Sequence, residues 1–382
     1  MRESNKNLLF IINHAAFFVS HRLVLAKEAI RRGYRVHLII GKPASLSMEF
    51  DALKELKKNK ITVHKVYFTP SIAGVLIDVI GLLQITLKIF ALRPTVIHSA
   101  SPKANLYAGI VSKLFPKVPN VFSISGLGYL YANGKSKKTE KKISDILFKW
   151  IFTKKNKKVI VQNDEDFKII NKYYNVNKND ILKISGSGIN LKKFGNHLIK
   201  EKNKLVILPG RYIKEKGIFE FVEAARIIKQ KYNNWRFMII GATDYYSPSK
   251  IPQKKINEWN QDNFIKCIGY SKNINKYFKQ ASIVCLPSYR EGMPKCLLEA
   301  SASGCAILTT NVPGCKDVIK LSKSGMLCKV KNVNDLVHKL SYLIENKKIR
   351  EGMGKKGKIY ANKHYGESIV IKKIFDCYNN LS

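Results

Sequence analysis

No Cys-x-x-Cys pair occurs anywhere in this 382-residue chain, and no cysteine precedes Cys267. The seven cysteines (267, 285, 296, 305, 315, 328 and 377) are odd in number and sit among apolar neighbours. That pattern excludes a disulfide framework and a zinc module, and it fits reduced, buried thiols in a cytosolic protein. Acidic residues are scarce as well, with 27 Asp and Glu against 68 Lys and Arg, a net charge of +41. The excess is shared, 32 basic to 12 acidic in residues 1–190 and 36 to 15 in residues 191–382, so a dedicated basic tail is excluded. A charge this large favours anionic partners: nucleotides, nucleic acid or an acidic membrane face. Biased composition is the competing explanation, because Lys, Asn and Ile are all frequent.

Long uncharged apolar runs are also missing. The run at 8–12 is cut by Asn13-His14, too short for a signal-peptide core. The longest apolar stretch, 72–92, carries Asp78, Gln84 and Lys88, which argues against a spanning helix. Leu76, Val79, Ile80, Leu83, Leu87 and Phe90 fall at helical spacing, so this segment is expected to be an amphipathic helix that packs on a sheet or touches a membrane surface. Zinc-finger spacing, an RNP motif and a helix-turn-helix pattern are absent too, which leaves a nucleic-acid-binding reading resting on charge alone.

What is present is an alternation of short apolar runs with longer amphipathic ones. Strand-like runs lie at 7–12, 35–40, 62–68, 95–98, 120–124 and 158–161, with helical runs such as 21–32 and 103–114 between them. After a polar stretch at 190–204 the pattern restarts at 205–208, 236–240, 264–268, 282–286, 306–309 and 326–330. This βαβ grammar predicts an α/β protein of two doubly wound, Rossmann-like parallel-sheet domains. The expected division is residues 1–192 and 193–366, with 367–382 packing back on the first domain. Ligands of such sheets bind outside the carboxyl ends of the strands, so a cleft between the two domains is the expected active site. The basic segment 134–142, GKSKKTEKK, reads as a mobile loop.

Three strand-end segments of the second half carry candidate chemistry. In LVILPGRYIKEKG (205–217), Arg211 and Lys216 follow a buried strand, and a helix begins near Ile218. Two fixed cations at a strand end suit a diphosphate, Arg as a planar fork and Lys as a compact charge. In SYREGMPKCLLEA (288–300), Pro294 fits the first turn of a helix, where its missing N–H costs nothing; Gly292 and Met293 lead into that start, and the N–H groups of Met293, Lys295 and Cys296 are expected to face a phosphate there. Glu291 and Glu299 flank that start, and a carboxylate there is suited to sugar or ribose hydroxyls. The third segment, TTNVPGCKDVI (309–319), is a strand, a Pro-Gly turn and another helix start.

In the first half, His14 and the small Ala15-Ala16 pair follow the first strand, where a ligand could approach the backbone. His14 is a candidate catalytic donor to a sugar hydroxyl or phosphate, and His21 and Arg22 are expected to open the next helix. Two further rim loops, HSASPKANLYAG with Lys103 and SISGLGYLY with Gly126, Gly128 and Tyr129, take the acceptor-facing position.

Read in order, FFVSHRLVLAKEAIRRGYRVH, HSASPKANLYAG, SISGLGYLY, SGSGINLKKF, GRYIKEKGIFEFVEAAR, LPSYREGMPKCLLEASASG and NVPGCKDVI span nearly the whole chain. Together they resemble the bacterial family 4 glycosyltransferases, retaining enzymes of the GT-B fold, in particular those that build O-antigen, capsule or lipid-linked oligosaccharides. Glu291 and Glu299 match the family's paired-glutamate motif. The resemblance implies that Arg211 and Lys216 hold the donor diphosphate, Glu291 contacts the transferred sugar, Glu299 contacts the ribose, and the helix start at Met293 adds backbone donors. It also implies a UDP-sugar donor, HexNAc by preference, no bound metal or other cofactor, and a polyprenyl-diphosphate-linked acceptor. Basic clusters at 54–60, 135–142 and 154–158, beside the amphipathic run 72–92, predict a place at the inner, anionic membrane face, and nucleic acid is not an expected partner. Asn190 stands where relatives often carry Asp, and Pro102 where some carry His. Asn is itself a helix-capping residue. A sugar-nucleotide epimerase of the same fold is the alternative enzyme.

Overall fold

In the computed structural model, which describes residues 6–41, 46–67, 75–127, 138–195, 202–244 and 247–381, the alternating runs form two parallel sheets. The chain divides into two units, residues 1–187 with 370–382, and residues 188–369.

The first unit contains β1 (Asn7–Ile12), α1 (Ala15–His21), α2 (Leu23–Arg31), β2 (Arg35–Ile40), α3 (Leu46–Lys58), β3 (Thr62–Lys65), α4 (Val75–Leu92) and β4 (Val96–Ala100). It continues with α5 (Pro102–Ser112), β5 (Asn120–Ser123), α6 (Lys138–Ile151), β6 (Lys157–Val161), α7 (Asp164–Lys168) and β7 (Ile181–Lys183). Its seven strands run β3-β2-β1-β4-β5-β6-β7, so the strand order reverses between β1 and β4. The period of two is visible in the packing: Leu8, Phe10 and Ile12 join the core on one face of the sheet, and Leu9 and Ile11 join the core on the other.

The second unit begins with α8 (Leu191–Phe194), where the Asn190 side chain accepts from the Lys193 amide, the capping role expected of it. It continues with β8 (Asn203–Pro209), α9 (Ile218–Lys231), β9 (Arg236–Ile240), α10 (Gln253–Gln261), β10 (Lys266–Ile268), α11 (Asn275–Gln280) and β11 (Ala281–Leu286). Then come α12 (Lys295–Ala302), β12 (Ala306–Thr310), α13 (Cys315–Ser322), β13 (Gly325–Cys328), α14 (Val333–Glu345) and α15 (Lys347–His364). The order β10-β9-β8-β11-β12-β13 reverses between β8 and β11. The last helix, α16 (Glu367–Asn379), starts in the second unit, while Val370, Ile374, Phe375, Cys377 and Tyr378 are buried in the core of the first. There the Tyr378 hydroxyl lies 2.6 Å from His98 Nδ1 of β4, whose other ring nitrogen lies 2.7 Å from Ser123 Oγ.

Several local expectations need correction. The helical run at 21–32 is broken at Arg22, so His21 closes α1 rather than opening the next helix. Buried Arg22 sits at the break. On α4 the apolar stripe is turned outward: Val79, Ile80, Leu83, Leu87 and Phe90 are exposed, and Ile85 and Ile89 pack inward instead. A helix apolar nearly all round offers two possible faces, and the sheet took the one carrying Ile85 and Ile89. Of the segment read as a loop at 134–142, residues 138–142 belong to α6 and the remainder lies outside the described residues. Strand β7 went unread because its three residues, Ile181-Leu182-Lys183, are too few to show an alternation.

Candidate functional site

In the second unit the strand-end segments converge where the strand order reverses, between β8 and β11. A crevice forms at such a point because the connections leave the sheet in opposite directions. Arg211 and Lys216 lie on the loop after β8, Glu291 on the loop after β11, just ahead of α12. Lys216 Nζ is 2.5 Å from Glu291 Oε1, both side chains being largely buried. Burial works against the Lys216 ammonium, yet the Glu291 carboxylate, with help from Cys296, outweighs it and holds the lysine above its ordinary range. Arg211 is close enough to pull in the opposite direction.

Two glycines allow this approach. Gly217, between the Lys214–Lys216 turn and α9, has φ of 68°, and a Cβ there would run into the Pro287 carbonyl oxygen. Gly314 has φ of 77° and would place a Cβ 2.6 Å from the Glu291 carbonyl oxygen. The loops after β8, β11 and β12 are thus in contact through backbone that only glycine can supply.

Pro294 is the N-cap of α12, with φ −68° and ψ 113°, one residue earlier than the first-turn position expected of it. The Leu297 amide closes the first turn on the Pro294 carbonyl at 2.9 Å. Gly292 is buried, and the Met293 side chain belongs to the hydrophobic core, so Met293 can meet a ligand only through its backbone. Glu299 lies just over one turn into the short helix. Burial raises its carboxyl to about 7, against the pull of Lys295 and Lys193 and with a push from Glu367. Arg211 is 57% exposed and bonds Asp244 Oδ2 at 2.5 Å through Nη1.

In the first unit the expected ligand approach to Ala15-Ala16 is occupied. The Glu49 carboxylate of α3 accepts from both amides, at 2.8 Å and 3.0 Å. His14 caps α1, its Nδ1 accepting from the Phe17 amide at 3.2 Å, which leaves Nε2 as the N–H donor of a neutral ring. The orphan amides of the helix start are therefore filled from within the chain.

Lys103 stands on the first turn of α5 after Pro102 and bonds Asp78 at 2.8 Å, so its charge is paired inside the unit. Ser101 holds φ of 91° and its hydroxyl donates to Asn13 Oδ1, tying the ends of β4 and β1 together. Gly126 has φ of 116°, whereas Gly128 and Tyr129 lie outside the described residues.

Asn13, Glu49, Asp78, Ser101 and Asp244 were missed by the sequence reading. All five act through side chains that meet partners on other elements, and only Ser101, within HSASPKANLYAG, stands in a motif. The Asp164-Glu165-Asp166 triplet opens α7 beneath its Asn163 cap, with Asp166 buried, and among the described residues no three His, Cys, Asp or Glu side chains cluster as metal ligands.

Two families tile the chain in register with its two sheets: Glycosyltransferase Family 4 over residues 20–190 and Glycosyl transferases group 1 over residues 190–360. The chain belongs to the family 4 glycosyltransferases. The transferase is 29% identical, over 75% of its length and 77% of the relative's, to the Campylobacter jejuni N,N'-diacetylbacillosaminyl-diphospho-undecaprenol alpha-1,3-N-acetylgalactosaminyltransferase. It is 24% identical to the Staphylococcus aureus capsular polysaccharide biosynthesis glycosyltransferase CapM, over 79% of its length and 81% of that protein's. The fold matches the crystal structure of Anabaena HepE in complex with UDP-glucose at a TM-score of 0.75 and 14% identity, covering 98% of this chain and 99% of that one. This is the GT-B fold, and glycosyl transfer takes the place of the epimerase and nucleic-acid readings.

Proposed function

We propose that this glycosyltransferase moves a sugar, HexNAc by preference, from a UDP-sugar to a lipid-linked or polysaccharide acceptor with retention at the anomeric carbon. The reading rests on one observation: Arg211, the Lys216–Glu291 pair and the start of α12 meet at the reversal point of the second sheet. Two cations beside a helix start form a site for a diphosphate leaving group. As the donor C–O bond breaks, negative charge grows on the diphosphate oxygens. Arg211 and Lys216 neutralise it, which is the main electrostatic contribution to rate. The acceptor hydroxyl attacks from the same face and gives its proton to a diphosphate oxygen. Glu291 keeps Lys216 charged and turns toward the transferred sugar, Glu299 accepts from the ribose hydroxyls, and Gly292 and Met293, just ahead of Pro294, lend backbone N–H groups. His14, as a neutral Nε2–H donor, bonds a sugar hydroxyl or phosphate oxygen, and the loops bearing Lys103, Gly126, Gly128 and Tyr129 take the acceptor. None of these roles calls for a metal ion.

The acceptor class is supported by the names of the Campylobacter and Staphylococcus relatives. Binding at an anionic membrane surface is supported by exposed apolar side chains on helices flanking α5. Leu83, Leu87 and Phe90 of α4 and Ile143, Ile146 and Trp150 of α6 are exposed, with Lys88, Lys142 and Lys149 on the same helices. Among the described residues no helix is long and apolar enough to cross a membrane. The basic cluster at 154–158 does not contribute as expected. Lys154 is buried on the carbonyls of Ser112, Phe115 and Pro116, and Lys157 and Lys158 bond Asp180.

The donor is tested by thermal shift with a panel of sugar nucleotides followed by product analysis, since a ligand bound only by the folded state raises its apparent stability. UDP-HexNAc should give the largest shift and a product of retained configuration; stabilisation by no nucleoside-diphosphate sugar refutes the reading. For the surface, Leu87→Gln/Phe90→Gln should weaken co-sedimentation with vesicles containing phosphatidylglycerol. A wild-type protein that stays in solution at low salt removes the membrane role.

A further inference from the structure

Asp244 belongs to no motif, yet it is the partner of the most exposed cation of the site. It follows β9, the neighbour of β8, and the parallel register pairs Pro209 with Ile240 at the strand ends. The two loops that leave those ends are bonded into one frame. The Gly210 amide donates to the Ile240 carbonyl at 3.0 Å, Tyr212 to Ala242 at 3.0 Å, and Ile251 to Tyr212 at 2.9 Å. Ile213 and Lys250 form an antiparallel bridge, the Lys214 amide donates to the Ser249 carbonyl at 3.0 Å, and Ser249 Oγ donates to Glu215 Oε2 at 2.5 Å. From this frame a buried Asp244 carboxylate reaches Arg211 Nη1 at 2.5 Å, while the arginine side chain stays 57% exposed.

An arginine this exposed is ordinarily free to sample many rotamers, and gripping a phosphate would freeze them. A carboxylate fixed in the protein freezes one in advance. The guanidinium is a planar fork of five N–H groups, so a bond through Nη1 leaves others for a second anion. The arrangement also carries a penalty: a negative charge beside a diphosphate weakens its binding. A residue kept for donor affinity alone would not be acidic.

We propose that Asp244 is a positioning residue that orients the Arg211 guanidinium on the leaving diphosphate. This rests on the donor reading above, and it adds a residue acting through Arg211 rather than on the substrate. Two consequences separate it from a structural role. Asp244→Ala should lower kcat about 10-fold, because misplacing a group that stabilises the transition state costs rate. The same variant should bind UDP as tightly as the wild type or more tightly, because a repelling charge is gone. Asp244→Asn preserves the side-chain volume and one acceptor oxygen, and should lose less.

The experiment measures kcat and KM with a UDP-sugar, and UDP affinity by calorimetry, in Asp244→Ala, Asp244→Asn, Arg211→Ala and the Arg211→Ala/Asp244→Ala pair. Asp244→Ala should change kcat less than 2-fold when Arg211 is already absent. An equal loss in both backgrounds, an unchanged kcat with Arg211 present, or weakened UDP binding with normal kcat each overturns the assignment. Should Asp244→Ala fail to fold, the Asp244→Asn comparison in the two backgrounds decides by the same criteria. A wild-type protein that neither binds UDP nor uses any UDP-sugar overturns the donor reading itself, whereas an active wild type with an indifferent Asp244→Ala overturns only this inference.

Discussion

Lys216→Ala is the sharpest perturbation of the site, because it acts on catalysis and on stability by separate routes. The ammonium and the Glu291 carboxylate are 2.5 Å apart, and both side chains are largely withdrawn from solvent. Removing one partner leaves the other charge buried and uncompensated. Full burial would cost about 3–5 kcal/mol, and the remaining solvent access brings this to about 2–3 kcal/mol. For a unit the size of residues 188–369, about 1 kcal/mol corresponds to roughly 2–4 °C, so the unfolding midpoint should fall by about 4–12 °C. Turnover should fall by about 10²-fold or more, since the ammonium faces charge that develops only as the diphosphate departs. The two effects part in Lys216→Met/Glu291→Gln. Removing both charges at nearly constant volume should recover most of the midpoint and none of the turnover. Differential scanning calorimetry and initial rates at saturating UDP-sugar make the comparison, at a temperature where every variant is folded. A Lys216→Ala enzyme with near-normal turnover, or a double variant that regains activity along with stability, would refute the reasoning. The pH sense follows from the raised Lys216 pKa: the stabilisation is complete below the ordinary lysine value and is lost as pH rises through the higher folded value.

The raised Glu299 carboxyl makes a further prediction. Its folded pKa of about 7 lies above the ordinary glutamate value, so the native state holds a proton that the unfolded state releases, and stability falls as pH rises from about 4.5 to about 7. If the carboxylate accepts from the ribose, donor KM should improve over the upper part of the same window, and Glu299→Gln should flatten both profiles. Gly217→Ala should destabilise the second unit by more than about 1 kcal/mol and depress turnover, because a Cβ meets the Pro287 carbonyl and the backbone is left-handed there. A fully active Gly217→Ala enzyme would mean that the Lys216 loop need not sit where it does.

Apolar patterning carried most of the fold. Strands β1, β2 and β9 begin and end where the alternation says they should, because buried parallel strands must be apolar on both faces. The repetition of the pattern announced two units, and the ordered motifs announced the family. The positions of Arg211, Lys216 and Glu291 on the loops after β8 and β11 were legible as well, since the carboxyl ends of the strands are set by topology. Three-residue β7 carried too few side chains to read. The face of α4 that packs could not be read because both faces are apolar, and only the contour of the sheet chooses between them.

Residue types and their spacing alone thus determined the layering and the place of the two cations, while the family came from the resemblance of the ordered motifs. The partners of those cations were decided in three dimensions. Arg211 meets Asp244 across 33 residues and Lys216 meets Glu291 across 75, and they do so because β8 lies between β9 and β11. Glu49 reaches the amides of Ala15 and Ala16 because α3 follows β2, and β2 lies beside β1, which leads into α1. A buried charge must find an opposite one wherever the chain brings it. That match depends on strand order and loop closure, and local sequence holds no record of either.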